Sequence, residues 1–140
     1  MNARFFLDTN IFVYSFDASQ PAKRRRAAQL IRDGVTSGKG VVSYQVVQEF
    51  FNVALRRFEQ PMSASDASQY LTTVFLPLLA LHSSPALFLS ALALSQKHHI
   101  GWYDALIVAS AEETKCDVLY TEDLQHGRRM GGLKIENPFL

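Results

Sequence analysis

A single α/β domain over residues 1–140, with a largely parallel sheet of four to five strands flanked by helices, is the fold this sequence predicts, on three observations. Short apolar runs rich in Phe, Val, Leu and Tyr alternate with segments of helical periodicity, the arrangement that builds strand–helix–strand units. Two of those runs end in an acid: Phe5-Phe6-Leu7 runs into Asp8, and Val118-Leu119-Tyr120-Thr121 into Glu122-Asp123. Parallel strands present such carboxyl ends at one rim. At 140 residues the chain also suits one domain, long enough to bury roughly 68–70% of its unfolded surface without disulfides.

The elements follow in order. Arg4-Phe5-Phe6-Leu7 reads as a buried first strand, and Asp8-Thr9-Asn10 as its exit turn. From Pro21 good helix formers run to Gly34, with Ala27, Leu30, Ile31 and Val35 spaced as an inward face and Lys23-Arg24-Arg25-Arg26 in the early turns. After the turn Ser37-Gly38-Lys39-Gly40, Val41-Val42-Ser43 is a second strand. A helix from Tyr44 to Glu59 then buries Val47, Phe50, Phe51, Ala54 and Phe58, while Gln45, Glu49, Asn52 and Arg56 share the other side.

Ser63 or Ser65 caps the next helix, Pro77-Leu78-Leu79-Ala80-Leu81 is a third strand, and another helix follows Pro85. The segment from Trp102 to Lys115 is apolar on nearly every side, which predicts a central helix. Asp104 falls in its first turn, where the helix dipole favours a carboxylate; a plain capping role explains that placement equally well. Val118 to Thr121 is a fourth strand, and Gly131 to Ile135 a fifth at the sheet edge. There is no internal repeat.

Composition excludes several classes. The apolar window from Val74 to Leu94 is interrupted by Pro77, His82, Ser83, Ser84 and Pro85, so no membrane span is expected. Cys116 is the single cysteine, which rules out an intrachain disulfide and offers no metal-ligand spacing. The N-terminal apolar run is far shorter than a secretion signal, and the expectation is a cytoplasmic protein. His82 and His126 stand alone and His98-His99 are adjacent, so the histidines read as structural or loop residues.

Asp8, Glu49, Asp104 and Asp123 are distant in the chain, yet each sits at the end of an apolar segment or on a polar stripe. Gathered at one rim, they would repel one another unless a divalent cation bound them. Without those four, nine acidic residues face 14 basic ones, and Lys23 to Arg26, Arg56-Arg57 and Arg128-Arg129 are patches able to neutralise phosphate. Each is also what a solvated face looks like. A strand-end Asp equally suits a magnesium-dependent phosphohydrolase, but the haloacid-dehalogenase type expects a second Asp where Asn10 stands. No Ser or Cys has a base partner at recognisable spacing.

The segments Asp8-Thr9-Asn10, Gln48-Glu49-Phe50-Phe51-Asn52-Val53, Tyr103-Asp104-Ala105 with Ile107-Val108-Ala109, and Leu119-Tyr120-Thr121-Glu122-Asp123-Leu124 together resemble the PIN-domain family, particularly its VapC-type toxins. Any one of them is weak; four in the family's order, over almost the whole chain, are fairly specific. The resemblance implies a three-layer sandwich and an endoribonuclease that uses one or two Mg²⁺ or Mn²⁺ ions and a metal-activated water, leaving 5′-phosphate and 3′-hydroxyl ends.

Position by position, it implies that Asp8, Glu49, Asp104 and Asp123 are both catalytic and metal-binding; Asp8, expected at the centre of the sheet, is the best candidate to bridge two ions. It places Thr9, Asn10 and Thr121 where small polar residues orient the acids, and sets Glu122 further out than Asp123. Asn52 and Arg56, on the same ridge as Glu49, could meet RNA phosphate or an antitoxin tail. Tyr14, Phe16, Trp102 and Tyr103 could stack on splayed bases, although core packing is the expectation for most of them. The resemblance further implies an RNA substrate, an antitoxin partner in a type II toxin–antitoxin pair, and a homodimer. The alternatives are a non-toxin PIN-domain RNA-processing nuclease and a non-catalytic PIN-like interaction module.

Overall fold

In the computed structural model, which describes residues 3–140, strand β1 (Phe5–Leu7) leads directly into helix α1 (Thr9–Tyr14). Helix α2 (Pro21–Ser37), strand β2 (Gly40–Ser43) and helix α3 (Tyr44–Ala54) follow. Helix α4 (Ala64–Tyr70) runs through a π-helical stretch, Leu71–Phe75, into the short helix α5 (Leu76–Leu78) and strand β3 (Leu79–Leu81). The chain then forms helices α6 (Pro85–His98) and α7 (Trp102–Glu113) and strands β4 (Val118–Tyr120), β5 (Arg129–Met130) and β6 (Leu133–Glu136).

The sheet order is β3-β2-β1-β4-β6-β5, and every pairing is parallel except β5 with β6. β1 is therefore central, with Phe6 opposite Val41 on one side and Leu119 on the other, all three essentially buried. Helices cover both faces, which is why these strands are apolar throughout instead of alternating. Phe50 of α3 is a hub of the core, its ring 5.2 to 6.4 Å from those of Phe12, Phe16, Phe51, Phe58, Tyr70 and Phe75.

Local chemistry sets the boundaries. Pro21 begins α2 at a position whose N–H has no helical partner, and Gly38 ends it at φ +71°, in the left-handed region. Gly40 lets α2 lie against β2: a Cβ there would stand 2.5 Å from the Gly34 Cα. Ser63 and Ser84 cap α4 and α6 by accepting from the Asp66 and Leu87 N–H groups at 3.1 Å. No helix among the described residues is long and apolar enough to cross a membrane.

Five expectations need correction. Asp8-Thr9-Asn10 is the cap and first turn of α1, a helix not foreseen, because Asp8 accepts from the Thr9 N–H at the strand exit. α3 stops at Ala54 instead of Glu59, which leaves Arg56 outside the helix. The third strand begins at Leu79, since Pro77 takes an early position of α5, where its missing N–H costs nothing. The sheet has six strands instead of four to five. The tail strand is internal: Gly131-Gly132 closes a two-residue hairpin with Gly131 at φ +61°, so β5 is the edge and β6 pairs with β4.

Candidate active site

At the carboxyl rim of the sheet, Asp8 leaves β1 and caps α1. Its Oδ1 accepts from the Thr9 N–H and its Oδ2 from the Thr121 hydroxyl, both at 2.7 Å. Thr121, fully buried just beyond β4, also accepts from the Asp123 N–H at 3.1 Å, so one hydroxyl ties the two strand exits together. The Thr9 hydroxyl donates to Glu49 Oε1 at 2.7 Å, drawing in α3. One helical turn before Glu49, Gln45 Nε2 donates to the Tyr103 carbonyl at 3.3 Å and to Glu49 Oε2 at 3.5 Å. A continuous chain of hydrogen bonds thus runs from the Asp123 backbone to the start of α7, where Asp104 occupies the first turn.

These elements enclose a cleft of about 480 Å³ lined by Asp8, Thr9, Asn10, Val13, Tyr14, Gln45, Glu49, Asn52, Val53, Tyr103, Asp104, Ile107 and Asp123. All four sequence-selected acids face it, each from a different element. Electrostatics there are unfavourable to negative charge. Burial pushes Asp8 from 3.8 up to about 7, against the pull of its Thr121 and Thr9 hydrogen bonds and with help from the charges of Asp123 and Glu49. Burial likewise raises Asp104, with Asp123 and Glu49 adding to it, and raises Asp123, with Glu122 adding to it.

The donor set suits a hard cation. Among the described residues that line the cleft, the side-chain acceptors are carboxylate, hydroxyl and amide oxygens, with no thiolate or imidazole. Among the described residues both polar atoms of the Asn10 side chain are buried without a full hydrogen bond; the amide makes only a weak contact with Asp123, which tempers that carboxyl's raised pKa. A hydrated ion is the kind of occupant that would satisfy it. Among the described residues no three acidic, histidine or cysteine side chains are grouped closely enough to hold a metal ion as they stand.

Of the remaining sequence candidates, Thr9, Asn10 and Asn52 line the cleft and Thr121 lies behind it. Glu122 does not line it: its carboxylate accepts from the Tyr14 hydroxyl and pairs with Lys23 Nζ at 3.1 Å. Arg56 is exposed and also outside the lining set. Part of the basic patch is engaged elsewhere, since Arg26 Nε donates to the Pro138 carbonyl at 3.4 Å and Arg128 to the His98 carbonyl at 2.9 Å. None of the four histidines lines the cleft. Spacing along the sequence places Gln45 on a polar ridge and no more. Its spacing of four from Glu49 was the available signal, but its burial, at 4% exposed, needed the tertiary structure.

The PIN domain model matches residues 5–130 of this sequence. The chain belongs to the PIN domain family. No curated protein matches it. Among solved structures, a chain of the toxin–antitoxin complex from Klebsiella pneumoniae is similar at 20% identity and TM-score 0.68, over 95% of this PIN domain and 96% of that chain. VapC20 of Mycobacterium tuberculosis, described as a sarcin–ricin loop cleaving toxin, aligns at 17% identity and TM-score 0.57, over 85% and 89% of the two chains. A chain of VapBC2 from Rickettsia felis, bound to a promoter DNA fragment, aligns at 21% identity and TM-score 0.56, over 95% and 97%. At such identities the likeness shows the fold, and a PIN domain with a mostly parallel sheet is what the strand order displays.

Proposed function

We propose that this PIN domain is a divalent-metal-dependent endoribonuclease and the toxin of a type II toxin–antitoxin pair. The observation that carries the nuclease reading is the convergence of Asp8, Glu49, Asp104 and Asp123 on one cleft, with burial and mutual repulsion raising Asp8 to about 7. Such a site stores unfavourable electrostatics that a cation relieves.

Asp8, Glu49, Asp104 and Asp123 are the residues to hold one or two Mg²⁺ or Mn²⁺ ions. When bound, a divalent ion there supplies the water activation and charge neutralisation that phosphodiester hydrolysis needs. The protein's own part is positioning. Thr121 and the Thr9 N–H hold the Asp8 carboxylate in one orientation, and Thr9 Oγ1 with Gln45 holds Glu49. Asn10 brings an unpaired amide to the same cleft, and Asn52 is the polar group next to Glu49 on the cleft side of α3.

The toxin role draws on the similar structures, of which one is described as a toxin–antitoxin complex, one as a sarcin–ricin loop cleaving toxin and one as VapBC2 bound to promoter DNA. It brings with it an RNA substrate, a cognate antitoxin covering the cleft, a homodimer and a cytoplasmic site of action. The decisive experiment incubates the purified chain with RNA in Mg²⁺ or Mn²⁺ and again in EDTA, alongside Asp8→Asn and Asp104→Asn. Metal-dependent cutting that disappears in both variants is expected; undiminished cutting in EDTA or in both variants overturns the site. Induction of the chain alone in a bacterial host tests toxicity. Normal growth with soluble protein present would leave a PIN-domain RNA-processing nuclease in its place.

A further inference from the structure

Tyr14 and Tyr103 line the cleft, Phe16 and Trp102 lie within two residues of them in the chain, and their surroundings separate the four. Tyr14 donates its hydroxyl to Glu122, carries Lys23 Nζ 4.5 Å above its ring, and meets Phe139 edge-on at 5.0 Å. Phe16 packs against Phe50, Phe58 and Tyr70 at 5.3 to 5.8 Å. Trp102 leans on Phe88 at 6.1 Å. Tyr103 differs from all three: among the described residues its ring has no aromatic neighbour and its hydroxyl no hydrogen bond, and it is 66% exposed. It nevertheless lines the cleft, one residue before Asp104.

Its backbone is not free to wander. Tyr103 sits in the first turn of α7, and its carbonyl accepts from the buried Gln45 amide that also reaches Glu49. The amide orientation is fixed by chemistry, because both neighbours are acceptors and only the NH₂ group can face them. An exposed ring is therefore carried on a hydrogen-bonded first turn, beside carboxylates that would hold a divalent cation.

We infer that Tyr103 is a base-stacking platform that makes this site select unpaired RNA, a deepening that rests on the nuclease reading. A nucleotide whose phosphate is held at the cleft stacks its base on the Tyr103 ring. A duplex offers no such base, since its faces are already covered by neighbouring pairs. Membership of the cleft favours this occupant over a second copy of the chain, which would only need the ring to be exposed.

The test measures anisotropy of a short labelled single-stranded oligoribonucleotide, and of the same strand annealed to its complement, with Ca²⁺ present; cleavage is followed separately in Mg²⁺. Wild type and Tyr103→Phe should bind the single strand alike, and Tyr103→Ala should bind it about 5- to 150-fold more weakly, the range for loss of one aromatic–base stack. Duplex binding should be weaker than single-strand binding in the wild type and change little with either substitution. The platform is overturned if Tyr103→Ala binds like wild type, if Tyr103→Phe loses as much as Tyr103→Ala, or if the loss coincides with dissociation of a dimer in sedimentation. Wild-type cleavage with an unaffected Tyr103→Ala removes the platform and leaves the nuclease. Single-strand binding that depends on Tyr103 without Mg²⁺-dependent cleavage does the reverse, and no RNA binding by the wild type overturns both.

Discussion

Replacing Asp8 with Asn should stabilise the metal-free protein, and the gain should depend on pH. The carboxyl is 5% exposed and its pKa is about 7 in the fold against 3.8 outside it. An acid raised in this way favours folding most when protonated, below pH 3.8, and that contribution declines as pH climbs to about 7 and then stays flat. At about 1.4 kcal/mol per pH unit, the ionised carboxylate costs the fold roughly 4 kcal/mol at pH 8.

Asn removes that charge at a small expense in hydrogen bonding. The Thr9 N–H can only donate, so the amide oxygen must face it and the NH₂ must face Thr121. The Thr121 hydroxyl already accepts from the Asp123 N–H and has a second lone pair available, so the mismatch costs about 1 kcal/mol. Asp8→Asn should thus be about 3 kcal/mol more stable than wild type at pH 8 in EDTA, roughly 10 °C in midpoint, and within about 1 kcal/mol of it at pH 5. Thermal unfolding by circular dichroism at the two pH values measures both. A variant less stable than wild type at pH 8, or a gap that does not change between pH 5 and pH 8, would refute the electrostatic reasoning. Added Mg²⁺ should raise the wild-type midpoint by more than that of the variant.

The other predictions concern the same rim and its support. Asp104→Asn and Asp123→Asn should each reduce Mg²⁺-dependent RNA cleavage roughly 10²- to 10³-fold, measured by initial rates, while far-UV circular dichroism stays unchanged. Gln45→Met keeps the shape of the side chain but loses the donor shared by Glu49 and the Tyr103 carbonyl, along with an Oε1 that has no partner. Its urea-unfolding stability should stay within about 1 kcal/mol of wild type, while Mn²⁺ affinity by calorimetry falls roughly tenfold or more; unchanged affinity would remove the positioning role. Gly40→Ala forces a Cβ to within 2.5 Å of the Gly34 Cα, and urea unfolding should show a loss of about 1–3 kcal/mol or more.

Much of the layout was legible because it rests on local regularities. The apolar runs of β1, β2 and β4 mark strands buried on both faces, Pro21 and Pro85 mark helix starts, and the all-round apolar α7 marks a central helix. Misreadings arose where a tertiary contact outweighs a local signal. α1 begins at a strand-end Asp whose carboxylate both caps the helix and meets Thr121, just beyond a strand distant in the chain. The apolar spacing through Phe58 suggests a helix to Glu59, but the chain leaves it after Ala54 and the Met62 N–H returns to the Ala54 carbonyl at 2.9 Å. Gly131-Gly132 is a hairpin signal, and the two-residue turn it makes puts β5 at the sheet edge.

The sequence by itself determined the α/β class and the PIN resemblance and singled out the four acids as candidates, because composition, periodicity and short motifs are properties of neighbours along the chain. The tertiary structure decided what those residues are to one another. It alone shows that Thr121 bridges Asp8 and Asp123, that Gln45 joins Glu49 to the start of α7, and that Tyr14 is committed to Glu122 and Lys23 while the Tyr103 hydroxyl has no hydrogen bond among the described residues. Those relations depend on distance across parallel strands and packed helices, and residues 113 apart, as Asp8 and Thr121 are, carry no mark of their 2.7 Å contact until the sheet forms.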